Sequence, residues 1–148
     1  MQLKTMIMAS AALMFALGSA VTIAAPNFED GLWETTVSME APGMPATPPH
    51  TTRQCMTKDD IDPHKALSHF SVNGHENQCK VSDYKENGNT ITWKTDCSGA
   101  HPAMTGAFSA TYNGASFTMV AHGKANEGGQ TMEFTMNASG KRMGACKQ

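Results

Sequence analysis

Hydrophobic and polar residues alternate along most of the chain beyond residue 30. In the segment Gly31–Glu40, one face carries Trp33, Thr35, Val37 and Met39. The same alternation recurs in three later runs: Phe108, Ala110 and Tyr112; Phe117, Met119 and Ala121; and Met132, Phe134, Met136 and Ala138. A period of two places neighbouring side chains on opposite faces of a strand. The pattern therefore predicts antiparallel strands with one buried and one wet face.

Three segments rich in asparagine and glycine predict how these strands are joined. Asn113-Gly114 is the strongest hairpin signal, because both residues tolerate the positive φ of a primed turn. Residues 86–89 close a second hairpin, between residues 79–85 and 90–97. Residues 126–129 predict a looser link before the last long strand.

Two regions depart from the alternation. Asp62 followed by Pro63 is typical of a helix start, and it predicts a short helix over Pro63–His69. This helix is expected to lay Ala66, Leu67 and Phe70 on the sheet. Residues 41–50 contain four prolines and predict an extended surface loop. The elements together predict a mainly β fold: a single antiparallel curved sheet or partly open barrel of about seven strands with one short helix.

The first 24 residues predict an export signal. Lys4 supplies a positive charge, and the apolar stretch from Met6 to Leu17 is too short to span a bilayer as a helix. The small residues of Thr22-Ile23-Ala24 then favour cleavage before Ala25. We expect a signal peptide over residues 1–24, a single exported β-rich domain over 25–148, and a periplasmic location.

The charge of the chain narrows the range of partners. The net charge is −2 over 148 residues, and removing the signal leaves 124 residues with a net charge of about −3. Lys141-Arg142 is the only adjacent basic pair. Nucleic acid is therefore not an expected partner. Beyond the signal there is no long apolar run, so an integral membrane protein is not expected either.

Four cysteines, Cys55, Cys79, Cys97 and Cys146, predict two disulfides in an exported chain of this size. Their spacings are too wide for a zinc site or a C-x-x-C redox motif. A three-residue loop at Asn87–Asn89 would place Cys79 directly opposite Cys97, whereas a two-residue loop would need a bulge to do so. We favour Cys79–Cys97, which leaves Cys55–Cys146.

Several short motifs together resemble the bacterial domain-of-unknown-function 3617 family. The resemblance covers nearly the whole chain after the signal, and it implies a small exported protein of bacteria with an envelope. It carries no established activity and no catalytic residues. The motifs are Gly31-Leu32-Trp33-Glu34, Pro48-Pro49-His50-Thr51, Gln54-Cys55-Met56-Thr57, Asn89-Thr90-Ile91-Thr92-Trp93 and Gly144-Ala145-Cys146-Lys147.

Catalytic chemistry finds little support in the sequence. Ser68, His64 and His69 lie close together, but no G-x-S-x-G elbow or glycine-rich oxyanion loop accompanies them. The acidic residues at 59, 60 and 62 are typical of a helix start, where carboxylates favour the macrodipole. We expect a protein that is not an enzyme and needs no cofactor.

Methionine suggests two kinds of binding. Eight of the 12 methionines lie beyond the signal, and flexible thioethers on the inner face of a sheet suit an apolar ligand or a hydrophobic partner segment. The candidate residues for that site are Trp33, Met39, Met119, Met132 and Met136. The same residues could equally be core.

Thioether and imidazole together also select copper, which gives an alternative site. Its candidate ligands are Met44, His50, His101 and Met104. A third reading is a disulfide-stabilised envelope protein whose only partner is another protein.

Overall fold

The computed structural model describes residues 26–68, 71–72, 75–76, 79–99 and 102–147. The fold is mainly β, as the sequence predicts, with seven antiparallel strands in one open sheet and one short helix. The strand order is β2-β1-β9-β8-β7-β6-β5, and β3 and β4 form a separate small hairpin. The elements are β1 (Gly31–Glu40), β2 (His50–Met56), α1 (Pro63–Ser68), β3 (Ser71–Val72), β4 (His75–Glu76), β5 (Lys80–Asn87), β6 (Thr90–Cys97), β7 (Ala103–Tyr112), β8 (Ser116–Glu127) and β9 (Gln130–Gly144).

The alternation seen in the sequence defines an inner and an outer face of the sheet. On the inner face, Val37 of β1 pairs with Ala138 of β9, and Ala138 pairs in turn with Met119 of β8. The row continues to Ala110 of β7 and Ile91 of β6. One apolar surface therefore runs across five neighbouring strands, as antiparallel sheets with one wet face require.

The core fills one end of this inner face. Trp33 is fully buried there, its ring stacks on Phe28 with centroids 4.7 Å apart, and its Nε1–H donates a hydrogen bond of 3.0 Å to the Glu29 carbonyl. Aromatic rings supply most of the volume at this end. The buried cluster comprises Phe28, Trp33, Ile91, Ala110, Tyr112, Phe117 and Ala138.

The hairpin at Asn113-Gly114 forms, but its turn is not the predicted one. Tyr112 pairs with Phe117, so four residues lie between the two partners of this last pair, and among them only Gly114 has a positive φ, of 67°. The reason is a contact with the N-terminal segment. Gly114 N–H donates to the Asn27 carbonyl at 2.7 Å, and Glu29 N–H donates to the Gly114 carbonyl at 3.2 Å.

The link over residues 126–129 is tighter than predicted. Glu127 pairs with Gln130, which leaves a two-residue turn of Gly128 and Gly129. Both glycines have positive φ, 59° and 81°. This is the backbone that a primed hairpin turn needs, and glycine adopts it without steric cost.

The hairpin over residues 79–97 combines a two-residue turn with a bulge. Asn87 pairs with Thr90 across the turn, and the register shifts between Ser82 and Lys85. Asp83 has a φ of 52° at this shift, and one extra residue of β5 is absorbed there. The bulge brings Cys79 opposite Cys97. The structure contains the disulfides Cys79–Cys97 and Cys55–Cys146, which is the pairing favoured above.

The helix begins where the sequence predicts. The Asp62 side chain accepts a hydrogen bond from His64 N–H at 2.9 Å, and the Asp62 carbonyl accepts one from Ala66 N–H at 2.8 Å. The described helix ends at Ser68, and the predicted end at His69 and the contact of Phe70 lie outside the described residues. Residues 1–24, the predicted export signal, and Ala25 also lie outside them. Residues 41–49 form a loop without helix or strand, as their prolines predict. The loop is not extended throughout, because it starts with a turn in which Met44 N–H donates to the Ala41 carbonyl at 3.1 Å.

Candidate functional site

An apolar trough with a volume of about 440 Å³ lies on the inner face beside the core. One wall is α1, which contributes Pro63, Ala66 and Leu67, and the rest is sheet from β1 and β6 to β9. Four methionines and three aromatic side chains dominate the lining. The lining residues are Met39, Pro63, Ala66, Leu67, Trp93, Thr95, Cys97, Met104, Thr105, Gly106, Phe108, Met119, Ala121, Gly123, Phe134 and Met136.

Small residues on the central strands create this space. Thr95, Gly106, Gly123 and Phe134 form one row across β6, β7, β8 and β9, so two adjacent positions of the row have no side chain. The positions of the neighbouring aromatic rings are possible only because these two residues have no Cβ. A Cβ at Gly106 would lie 2.9 Å from the ring of Phe108, and a Cβ at Gly123 would collide with the ring of Phe134. The glycines therefore shape the floor of the trough and allow the rings to lie flat over it.

The trough offers almost no polar chemistry. Thr95 and Thr105 are the only polar residues of its lining, and none of its lining residues is charged. Trp93 stacks on Phe108 with centroids 5.0 Å apart, which presents a flat aromatic surface rather than a hydrogen-bonding one. Across the described part of the chain, no group of three histidines, cysteines or acidic residues could hold a metal ion. The site is built for apolar contact.

A polar groove of about 610 Å³ crosses the outer face of the same strands. Its cations are already paired, because Lys124 contacts Glu133 at 2.8 Å and Lys94 contacts Asp83 at 2.8 Å. These exposed pairs raise the pKa of each lysine and lower that of each carboxylate through a hydrogen bond and charge attraction. The groove is larger than the trough, but it presents neutralised, solvated ion pairs instead of a shaped surface.

The structure separates the five residues predicted to bind an apolar ligand. Met39, Met119 and Met136 line the trough. Trp33 instead lies in the core cluster, where it is fully buried. Met132 is 43% exposed and is not among the lining residues.

The four residues predicted to bind copper are not gathered into one site by the described structure. Met44 lies in the loop between β1 and β2, and His50 begins β2 at the edge of the sheet. Met104 lies on β7, four strand positions away from β2, which is about 19 Å across the sheet. His101 lies outside the described residues.

Several lining residues were not singled out from the sequence as ligand contacts. Phe134 belongs to the same alternating run as Met132 and Met136, so the strand pattern already placed it on the inner face. Trp93 and Phe108 are directly paired across β6 and β7. That pairing follows from the hairpin register, and knowledge of the register could have found them.

Comparison with known proteins defines the family but adds no activity. The family model described as "Protein of unknown function (DUF3617)" matches residues 28–146. The chain therefore belongs to the DUF3617 family. No curated protein and no solved structure shows a significant match to it. None of its described helices is long and apolar enough to cross a membrane.

Proposed function

We propose that this protein is a periplasmic, non-enzymatic binding protein that holds an apolar molecule in the inner trough. The observation that carries the proposal is the lining itself: apolar walls around about 440 Å³. That volume lies within the range of roughly 300–1,000 Å³ typical of ligand pockets. An unbranched aliphatic chain suits it best, because flexible methionines adapt to a loosely shaped apolar surface.

The location in the periplasm is supported by two independent features. Residues 1–24 have the charge, apolar core and small-residue exit of an export signal. All four cysteines form disulfides, which persist in oxidising compartments. Cell fractionation with N-terminal sequencing tests the location. We expect a periplasmic protein that begins at Ala25, and a cytoplasmic protein that retains Met1 would contradict it.

Binding of a fluorescent fatty-acid probe tests the trough. Met136→Glu should abolish saturable probe binding, because it places an unpaired carboxylate among apolar side chains. Met119→Glu should do the same. Met132→Glu is the matched control, since Met132 lies on the same strand but is exposed outside the trough, and it should bind the probe normally.

Two results would contradict the proposal. Wild-type protein that shows no saturable binding would leave a disulfide-stabilised protein whose partner is another envelope protein. Equal loss of binding in Met132→Glu and Met136→Glu would place the probe outside the trough. Circular dichroism and melting curves must first show that each variant remains folded.

A further inference from the structure

Among the residues that line the trough, Thr95 is the one whose polar side chain lies on the inner face of the sheet. It alternates along β6 with Trp93 and Cys97, and all three line the trough. Thr95 is 9% exposed, so nine-tenths of the residue is buried. Thr105, the other polar lining residue, belongs to the outer face by the alternation of β7 and is exposed. The trough therefore has a single buried hydroxyl.

The Thr95 hydroxyl has no hydrogen-bond partner within the described part of the protein. Other threonines of this sheet pair their hydroxyls, as Thr90 does with Thr111 at 2.9 Å. Among the described residues, the fully enclosed side-chain oxygen without a partner is that of Thr35, so the neighbours of Thr95 do not seal its oxygen in. Buried hydroxyls in folded proteins nearly always make a hydrogen bond. A group held in the trough is placed to supply one to Thr95.

Space for such a group lies directly beside Thr95. Thr95 pairs with Gly106, and Gly106 pairs with Gly123, so the next two positions of this row have no side chain. Adjacent strands are about 4.8 Å apart, which brings a group resting on Gly106 within reach of the Thr95 hydroxyl. Water suits this place poorly, because a buried water needs at least two polar partners and the inner face offers one hydroxyl.

The group that meets Thr95 must be polar but uncharged. None of the lining residues is charged, so a carboxylate or ammonium beside Thr95 would be buried without a counter-ion, at a high cost in free energy. A threonine hydroxyl both donates and accepts, so it can bond to the oxygen of an alcohol, an ester or a ketone. Resting on the proposed function, we infer that the trough takes an aliphatic molecule with a neutral oxygen group, and that Thr95 binds this oxygen.

The position of Thr95 also sets the direction in which the molecule lies. Thr95 is on β6 and Met39 is on β1, four strand positions apart, which is about 19 Å across the sheet. Met39 is 42% exposed and forms the open rim of the trough. The neutral oxygen therefore lies at the buried end, and the aliphatic chain extends towards the rim. A fatty acid lies the other way round, with its carboxylate in water at the rim.

Displacement of the fluorescent fatty-acid probe by octanol and by nonane tests the inference. The two competitors have the same number of heavy atoms and differ in one hydroxyl. Thr95→Val keeps the shape of the side chain and removes its hydroxyl, so it should weaken octanol about five- to tenfold and leave nonane no weaker. Thr95→Ser should restore octanol binding. Thr105→Val is the matched control on the outer face and should bind both competitors as the wild type does.

The probe itself separates this inference from the proposed function. Thr95→Val should bind the fatty-acid probe with wild-type affinity, because the carboxylate of the probe does not reach Thr95. Wild-type protein that binds neither the probe nor a competitor would overturn the proposed function and the inference together. Probe binding with equal octanol affinity in wild type and Thr95→Val would overturn the inference alone. Equal weakening of octanol and nonane in Thr95→Val would also overturn it, since that result reports altered packing.

Discussion

Trp33 is the residue on which the core depends most. Its indole is fully buried, contacts Phe28 and Phe117, and satisfies its only donor on the Glu29 carbonyl. Removing it would leave a large cavity and three broken interactions. We expect Trp33→Ala to lower the free energy of unfolding by about 3–5 kcal/mol in urea titrations. Trp93→Ala is the matched control and should cost less, since Trp93 is only half-buried. A Trp33→Ala variant that melts within about 2 °C of the wild type would contradict this role.

Tyr112 makes the stability of the core dependent on pH. It is 5% exposed, and burial raises the pKa of its hydroxyl to about 12. Below about pH 10 the folded and unfolded chains both keep the proton, and the contribution of Tyr112 is complete. As the pH rises further, only the unfolded chain releases the proton until the folded pKa is reached, so stability falls.

The matching measurement is the free energy of unfolding of wild type and Tyr112→Phe across the alkaline range. Between about pH 9 and pH 12 the wild type should lose roughly 2–3 kcal/mol more than the variant. Tyr84 is present in both proteins, and burial together with its hydrogen bond to Glu86 also raises its pKa. A smaller charge interaction with Tyr112 raises the pKa of Tyr84 further, so the difference between the two proteins reports Tyr112 together with its coupling to Tyr84. Parallel pH profiles would show that the Tyr112 hydroxyl ionises equally in both states.

At the scale of elements, the sequence located the strands better than the turns. The alternation of Trp33, Thr35, Val37 and Met39 matches β1, because a half-buried strand determines its own pattern. The predicted primed turn at Asn113-Gly114 was wrong, because Gly114 N–H donates a hydrogen bond to the Asn27 carbonyl. No local sequence pattern reveals that contact. The sequence did not decide between a three-residue loop and a two-residue loop with a bulge, which the structure has at Asp83. The reason is that the register depends on the pairing of the whole hairpin.

The two disulfides should contribute unequally to stability. Cys55–Cys146 joins residues 91 apart, and Cys79–Cys97 joins residues 18 apart. The chain-entropy model gives about 4–5 kcal/mol for the longer closure and about 3 kcal/mol for the shorter one. Replacing both cysteines of a pair by alanine should therefore lower the urea midpoint more for Cys55 and Cys146. The reverse order would show that local packing around Cys97, which is buried, outweighs loop closure.

For the whole molecule, the sequence predicted which residues lie on the inner face of the sheet. It did not predict which part of that face is packed core and which part is open trough. Trp33 and Met39 lie on the same face of one strand, yet Trp33 is fully buried and Met39 is 42% exposed. The difference arises from partners on other strands. Aromatic rings pack around Trp33, whereas Gly106, Ala121 and Gly123 leave space near Met39 and Met136. Core and trough have the same local pattern, so one sequence could not distinguish them.

The most direct test of the central claim, that the trough holds an apolar molecule, is native mass spectrometry of protein purified from its own cells. We expect the wild type to carry an additional mass that organic extraction identifies as an aliphatic molecule. Ala66→Phe should abolish it by filling the trough from α1, while Ala107→Phe, which adds the same ring to the exposed outer face, should retain it. A wild type without bound mass, or a bound mass that persists in Ala66→Phe, would contradict the account.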